Sequence, residues 1–223
     1  MKTLAVISRK GGAGKTTLAV NLAITAHLAG LKVMLADLDA QRSASDALRA
    51  RNSAGPVLAE INAGKLFSTQ VSAQHDNFDA LVIDTPAAPE TDVLQAINCA
   101  DLCVLVCRPT FLDIASVVRS AEAVRRLGKR GVIVLSQAPP RRNGVEPPAV
   151  IKAAEALRFT GMPLAPIGLR ARAAFQQSIA HGRSVCEWEP GSAAAEEISR
   201  LWELVAPMLF GQGPVKTLAA NQA

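Results

Sequence analysis

The chain has no apolar run approaching about 18 residues, so no segment of it reads as a membrane-spanning helix. Its first residues run straight into a short strand-like segment with no cleavable signal pattern, and the expectation is a cytoplasmic protein. No internal repeat or second domain is visible in 223 residues, a length that fits one large domain with a sizeable core. Cysteine is scarce. Of four, Cys99, Cys103 and Cys107 are evenly spaced, but the spacing meets no familiar zinc or iron–sulfur ligand pattern. A reducing compartment argues against disulfides. Cys103 and Cys107, on one face of a Leu/Val strand with Leu105 between them, read as buried free thiols. The apolar fraction, 49% and mostly aliphatic, suits a sheet covered on both faces. The net charge of +5 is uneven: residues 1–100 hold nine Lys/Arg against nine Asp/Glu, and residues 101–223 hold fifteen against ten. The second half therefore suggests a polyanion partner, with a solvated basic face as the plainer alternative.

What is present is concentrated in Arg9-Lys10-Gly11-Gly12-Ala13-Gly14-Lys15-Thr16-Thr17. It follows the apolar run Leu4–Ile7 and precedes Leu18, Leu22, Thr25 and Ala26 at helical spacing, which places it at a strand-to-helix turn. Three glycines let successive N–H groups converge on phosphate oxygens, and the following helix N-terminus adds partial positive charge. Lys15 then reaches β/γ-phosphates and the Thr16 hydroxyl ligates Mg²⁺: this is a P-loop. A ligand-free tight turn would not need the Lys-Thr end. Lys10 is an addition, opening the loop where a generic P-loop needs no particular side chain.

Residues 10–16 resemble the deviant Walker A motif, Lys-Gly-Gly-x-Gly-Lys-Thr, of the ParA/MinD family of ATPases. The resemblance implies an α/β fold with a doubly wound, mostly parallel sheet flanked by helices. It implies ATP and Mg²⁺ as cofactors, residues 10–17 as the nucleotide cradle, and an ATP-dependent homodimer in which Lys10 reaches the partner's phosphates. Residues 1–210 are read as a single P-loop ATPase domain and 211–223 as a disordered tail.

The buried strand 32–37 delivers Asp37-Leu38-Asp39-Ala40-Gln41 to the sheet edge that carries the P-loop. Two carboxylates one residue apart at a strand end point the same way, so one braces a P-loop lysine and the other faces Mg²⁺ and the attacking water. By resemblance Asp39 is the aspartate of hydrolysis, with Ala40 where the family usually has proline. Residues 43–66, with two weak helical patterns, read as a switch region. Phe78–Asp84 reads as a third strand ending in a Walker B aspartate, Asp84, on the Mg²⁺ side of the site. Further strands are expected at 102–107, 132–135 and 162–167, and helices at 112–128, at 147–159 and from Ser192 or Gly191, the last with an Ile198, Leu201, Trp202, Val205, Leu209 core stripe. Ser136 stands where many relatives have an adenine-reading asparagine.

No helix-turn-helix precedes the P-loop, so DNA binding would be nonspecific and made of phosphate contacts. Arg170, Arg172 and Arg183 resemble the C-terminal block of small partition ATPases and are the preferred contacts, although Ala193 replaces an arginine some relatives use. Arg125, Arg126, Lys129, Arg130, Arg141 and Arg142 are the other candidates. The leading expectation is a nucleoid-associated ParA-type ATPase that partitions a plasmid or chromosome with a ParB-like adaptor. The alternatives are positioning of a protein cargo, or a MinD-like membrane-associated regulator. The latter would need an amphipathic basic C-terminal helix that 218–223 does not supply, so no membrane partner is expected. A metabolic P-loop enzyme would need a substrate pocket that the residues do not reveal.

Overall fold

In the computed structural model the described residues are 1–211, so the tail expected at 211–223 lies, from residue 212 onward, outside them. The elements run β1 (Lys2–Ile7), α1 (Lys15–Leu28), β2 (Val33–Asp37), α2 (Ser43–Arg49), β3 (Val57–Glu60), α3 (Leu66–His75), β4 (Ala80–Asp84) and α4 (Glu90–Cys99). They continue as β5 (Leu102–Cys107), α5 (Phe111–Arg126), β6 (Arg130–Leu135), α6 (Pro148–Leu157), α7 (Ala173–Ala180), α8 (Val185–Trp188) and α9 (Ala193–Phe210). The strands form one sheet in the order β3-β2-β4-β1-β5-β6, every pairing parallel. A parallel sheet needs crossover helices, and these cover both faces as the aliphatic composition requires.

Alternation along each strand divides the core. Leu4 and Val6 of β1 pack with α1, α2, α7, α8 and α9, whereas Ala5 and Ile7 point to the layer of α3, α4, α5 and α6. Each fully buried Leu or Ile contributes about 1.5–3 kcal/mol, which makes β1, buried from Thr3 to Ile7, the spine of the sheet. Cys103, Leu105 and Cys107 share one core layer as expected, and burial pushes both thiols up to about 12. The α9 stripe is buried in the other layer, and Ser192 caps its first turn by accepting from the Ala195 N–H at 3.2 Å.

Several expectations are corrected. The strand at 162–167 is reduced to a single bridge, Leu164 to Ile133, because Pro163 and Pro166 have no N–H to continue a ladder. The segment 43–66 holds α2, the edge strand β3 and a 3₁₀ turn at Ala63–Lys65. The helix at 112–128 ends earlier, because Gly128 lies at φ 66°. The helix from 147 passes into a 3₁₀ turn at Arg158–Thr160.

Two polar clamps fix the layers. Arg51, just past α2, donates to both oxygens of Glu187 in α8 (2.7 and 2.8 Å) and to the Gly182 carbonyl (2.9 Å), with its side chain 4% exposed. Gly182 sits at φ +63°, and a Cβ there would lie 2.5 Å from the Ala47 carbonyl and the Arg51 nitrogen. At the β6 end, Glu146 accepts from Arg170 at 2.6 and 2.9 Å and from Arg141 at 2.6 Å. The Arg170 hydrogen bonds, with help from Arg141 and against the effect of burial, hold the Glu146 carboxyl down to about 2.

Gly182→Ala should therefore destabilise the chain by about 1–3 kcal/mol, read as a lower urea midpoint. Gly191→Ala, at φ +79° with open space around it, isolates the backbone strain and should cost less. The depressed Glu146 carboxyl contributes stability that is full above its ordinary value of 4.5 and is lost as pH falls from there toward about 2. Glu146→Gln should lose stability at pH 7 but show a shallower decline between pH 4.5 and pH 2, followed by chemical denaturation across pH.

Candidate nucleotide site

The P-loop lies between the C-terminal end of β1 and the first turn of α1, at the centre of the sheet edge. Gly12 and Gly14 adopt φ 69° and 95°, which side-chain-bearing residues rarely take. At Gly14 a Cβ would also lie 2.7 Å from the Ser136 hydroxyl, so glycine is required there twice over. Ala13 instead points into the core and is buried. No side chain caps α1 and its first turn carries no acid, so its leading N–H groups and partial positive charge remain available to an anion.

Lys15 is 6% exposed, its ammonium 3.4 Å from the Lys10 carbonyl and without an ion pair among the described residues. Burial pushes its pKa down, while the fields of Asp84 and Asp39 pull it back up. Lys10 is half-buried, and its ammonium makes no hydrogen bond among the described residues. Arg9 is tied off by Glu90 at 2.7 Å.

Asp84 stands at the end of β4, in register with Val6 of β1 and with Asp37 of β2. It is fully buried, and neither carboxylate oxygen has a hydrogen-bond partner among the described residues. Burial pushes it up to about 7; the Thr16 hydroxyl is near enough to pull it down without completing a hydrogen bond, and Lys15 adds to that pull. An orphaned buried carboxylate beside a helix-terminal hydroxyl and below a phosphate cradle is the donor set a hard divalent cation takes, so the residues fit Mg²⁺.

The expected division of Asp37 and Asp39 is half corrected. Asp37 braces no lysine: its Oδ2 accepts from the Ser45 N–H and hydroxyl at 2.9 and 2.7 Å, and its Oδ1 from the Asp39 N–H at 3.0 Å. Those three donors engage both of its oxygens and fix the start of α2 instead. Asp39 is half-exposed, accepts from the Gln41 N–H at 3.0 Å, and its field reaches Lys15.

Beside the P-loop a cleft of about 400 Å³ is walled by Gly14, Thr17, Ser136, Gln137, Arg172 and Phe175. Thr17 thus faces the cleft while Thr16 faces Asp84. Gln137 donates to the Gly12 carbonyl at 2.7 Å, joining the loop after β6 to the P-loop. Nothing in the residue pattern marks it, because the contact spans 125 positions. Arg170 and Arg172 also flank this cleft, Arg170 paired with Glu146 and Arg172 with Glu197 at 2.7 Å. Arg183 is exposed, lies 6.0 Å from the Trp188 ring, and has no ion pair among the described residues. No described helix is long and apolar enough to cross a membrane.

Among solved structures, the septum site-determining protein MinD from Pyrococcus horikoshii complexed with Mg-ADP superposes with a TM-score of 0.74 at 19% identity, covering 92% of this chain and 95% of that one. A Cyanothece McdA–ATP complex superposes at 0.73 with 17% identity, covering 92% and 96%. These likenesses concern the fold. In sequence, the maintenance of carboxysome distribution protein A of Gloeobacter kilaueensis is 32% identical over 213 residues, 90% of this chain and 95% of that protein. Residues 4–185 match the model of the CobQ/CobB/MinD/ParA nucleotide binding domain. With the P-loop, its two lysines and the buried Asp84 inside that span, the chain belongs to the CobQ/CobB/MinD/ParA family of nucleotide-binding domains, among its ParA/MinD-type ATPases.

Proposed function

We propose that residues 1–210 act as one ATPase domain that positions a protein assembly in the cell, alternating between an ATP-bound dimer and a released form. The single observation that carries the choice of cargo is the likeness to a carboxysome-distribution protein over 90% of the chain. Partition of a plasmid or chromosome with a ParB-like adaptor, which the motifs alone favour, would use the same cycle with a different load.

In this reading the P-loop N–H groups of Gly11 to Thr17 and the Lys15 ammonium hold the β- and γ-phosphates, and the base enters the cleft beside Ser136 and Gln137. Thr16 and Asp84 hold Mg²⁺, which supplies positive charge against the phosphate oxygens. Asp39, at the rim of the site, orients water for attack on the γ-phosphate, giving ADP and phosphate. Lys10 turns outward to a second copy's phosphates. Phe111 and Leu112, 82% and 64% exposed at the start of α5 on the same sheet edge, give that second copy an apolar surface to cover. The adaptor on the cargo stimulates turnover, and the ATP dimer holds nonspecific DNA, keeping the protein nucleoid-associated in the cytoplasm without a membrane anchor. Arg183 is the foremost of the three DNA contacts, since Arg170 and Arg172 contribute only where they exchange a glutamate for a phosphate.

Mg-ATP at about 100 times its Kd adds about 2.7 kcal/mol to the folded state, so the parent should melt about 5–10 °C higher with it. Lys15→Ala should lose that shift. Lys10→Ala should keep it yet fail to dimerise by sedimentation, and Asp39→Ala should dimerise while turnover falls about 100-fold or more. A Lys15→Ala variant that still melts higher with Mg-ATP, as the parent does, would refute the P-loop assignment.

Duplex DNA of unrelated sequences should bind in ATP and not in ADP or without nucleotide, with affinity falling steeply as salt rises, since a dimer makes the second set of phosphate contacts intramolecular. Arg183→Glu should weaken this binding more than Arg172→Glu in a mobility-shift series. Binding to anionic vesicles in place of DNA would turn the reading toward a membrane regulator.

A further inference from the structure

Arg42, between Asp39 and α2, has left-handed backbone angles, φ 56° and ψ 28°, without being glycine or asparagine. An L-residue there costs on the order of 1 kcal/mol, so something else must hold it. It stands at the N-cap position of α2 but gives the helix no side-chain cap; its guanidinium runs backward. One nitrogen, Nη1, donates to the Asp37 carbonyl at 2.6 Å and to the Ile61 carbonyl at 3.1 Å.

Those two carbonyls lie where β2 and β3 part company. The last paired residues are Asp37 and Glu60, and the Ile61 N–H still reaches the Asp37 carbonyl at 3.2 Å. The Arg42 guanidinium extends this junction one step past the backbone ladder and closes the fork. The backbone completes a ring: the Arg42 N–H donates to the Asp39 carbonyl at 3.0 Å, and the Asp39 N–H to Asp37 Oδ1 at 3.0 Å. The Leu38 N–H, donating to the Asp84 carbonyl at 3.0 Å, ties the ring to β4. Among the described residues, Asp39 has only the Gln41 N–H on its carboxylate. Its placement over the P-loop therefore depends on the ring and on the one side chain that fastens the ring to the sheet.

We propose that Arg42 is a positioning residue for Asp39, its guanidinium clamping the 37–42 loop to the ends of β2 and β3. This rests on the ATPase reading above and deepens it. Arg42 bears a full charge but has no ion pair among the described residues; both its acceptors are backbone carbonyls, where charge-assisted bonds are strong and directional. A clamp of this kind acts on the geometry of attack and not on nucleotide affinity, which the P-loop supplies. Misplacement of a reacting group by about 1 Å costs on the order of 100-fold in rate.

The test is Arg42→Gly, because glycine takes the left-handed angles without strain and removes only the side chain. With Mg-ATP, kcat should fall at least 10-fold while KM and the ATP-dependent dimer stay within about 3-fold of the parent. Arg42→Lys should recover part of kcat. A double variant with Asp39→Ala should be no slower than Asp39→Ala alone, since the two act through one group. Native-state amide exchange gives a readout independent of turnover: the Asp39 and Gln41 amides should exchange faster in Arg42→Gly. Unchanged exchange and unchanged kcat in a parent that hydrolyses ATP would overturn the clamp alone, and so would a fall in thermal midpoint with kcat intact. A parent that binds Mg-ATP but never turns it over would overturn the ATPase reading, and the positioning role with it.

Discussion

The structure turns on a buried charge pair that the protein does not complete by itself. Asp84 and Lys15 lie at the same edge of the sheet, one finishing β4 and the other opening α1 just after β1, because β4 and β1 are neighbours in the sheet. Among the described residues neither side chain reaches an ion-pair partner, and Asp84 lacks even a hydrogen bond. Burying such groups as charges without partners costs several kcal/mol each, which is why burial pushes Asp84 up to about 7 and Lys15 down. The sheet tolerates them because the apolar spine of β1, β4 and β5 is buried on both faces and supplies stability well away from the edge. Folding thus leaves a strongly polar crevice whose missing partners are an anion for Lys15 and α1 and a cation for Asp84. A nucleotide phosphate with Mg²⁺ supplies both at once.

Around that crevice the carboxylates divide by how fully the protein satisfies them. Asp37 has both oxygens engaged by three donors and is architecture: it fixes the start of α2 through Ser45. Asp84 is bare, and in the proposed reading it is the Mg²⁺ ligand. Asp39 is in between, half-exposed and accepting the Gln41 N–H on one oxygen, while its field reaches Lys15. The helix that follows, α2, is not free to wander, because Arg51 beyond its end is bound bidentately by Glu187 and Gly182 packs backbone to backbone against it. The loop bearing Asp39 is therefore anchored at one end by β2 and at the other by a helix fastened to the C-terminal layer.

How much of this the sequence disclosed follows the range of the interactions involved. The P-loop, β1, β5 and the Walker B strand are local: an apolar run, a glycine turn and a terminal aspartate say what they are from their own residues. β3 is not. Its burial pattern is mixed because it is an edge strand, and Val57-Leu58-Ala59-Glu60 becomes a strand only by pairing with β2. The roles of Asp37 and Gln137 were hidden for the same reason. Asp37 is distinguished from Asp39 by Ser45, eight residues on, and Gln137 by a P-loop carbonyl 125 positions away. The two prolines at 163 and 166 argue against a strand at 162–167 from the sequence alone, since neither can donate to a ladder.

Charge is where composition misleads most, and pairing decides the matter. The basic excess of the second half suggests a polyanion surface, yet Arg170 and Arg141 share Glu146, Arg172 holds Glu197 and Arg108 holds Asp113. These arginines are structural countercharges first, and recruiting one to a phosphate means breaking an existing bond. Arg126, Arg130, Arg142 and Arg183 make no ion pair among the described residues and lie exposed, Arg126 and Arg130 at the junction of α5 and β6, Arg142 between β6 and α6 and Arg183 between α7 and α8. A few exposed arginines give weak, salt-screened attraction in one copy. Dimerisation at the P-loop edge would bring two such sets onto one rigid body, and this is the physical route by which ATP, through Lys10, would govern affinity for a polyanion that contacts neither lysine.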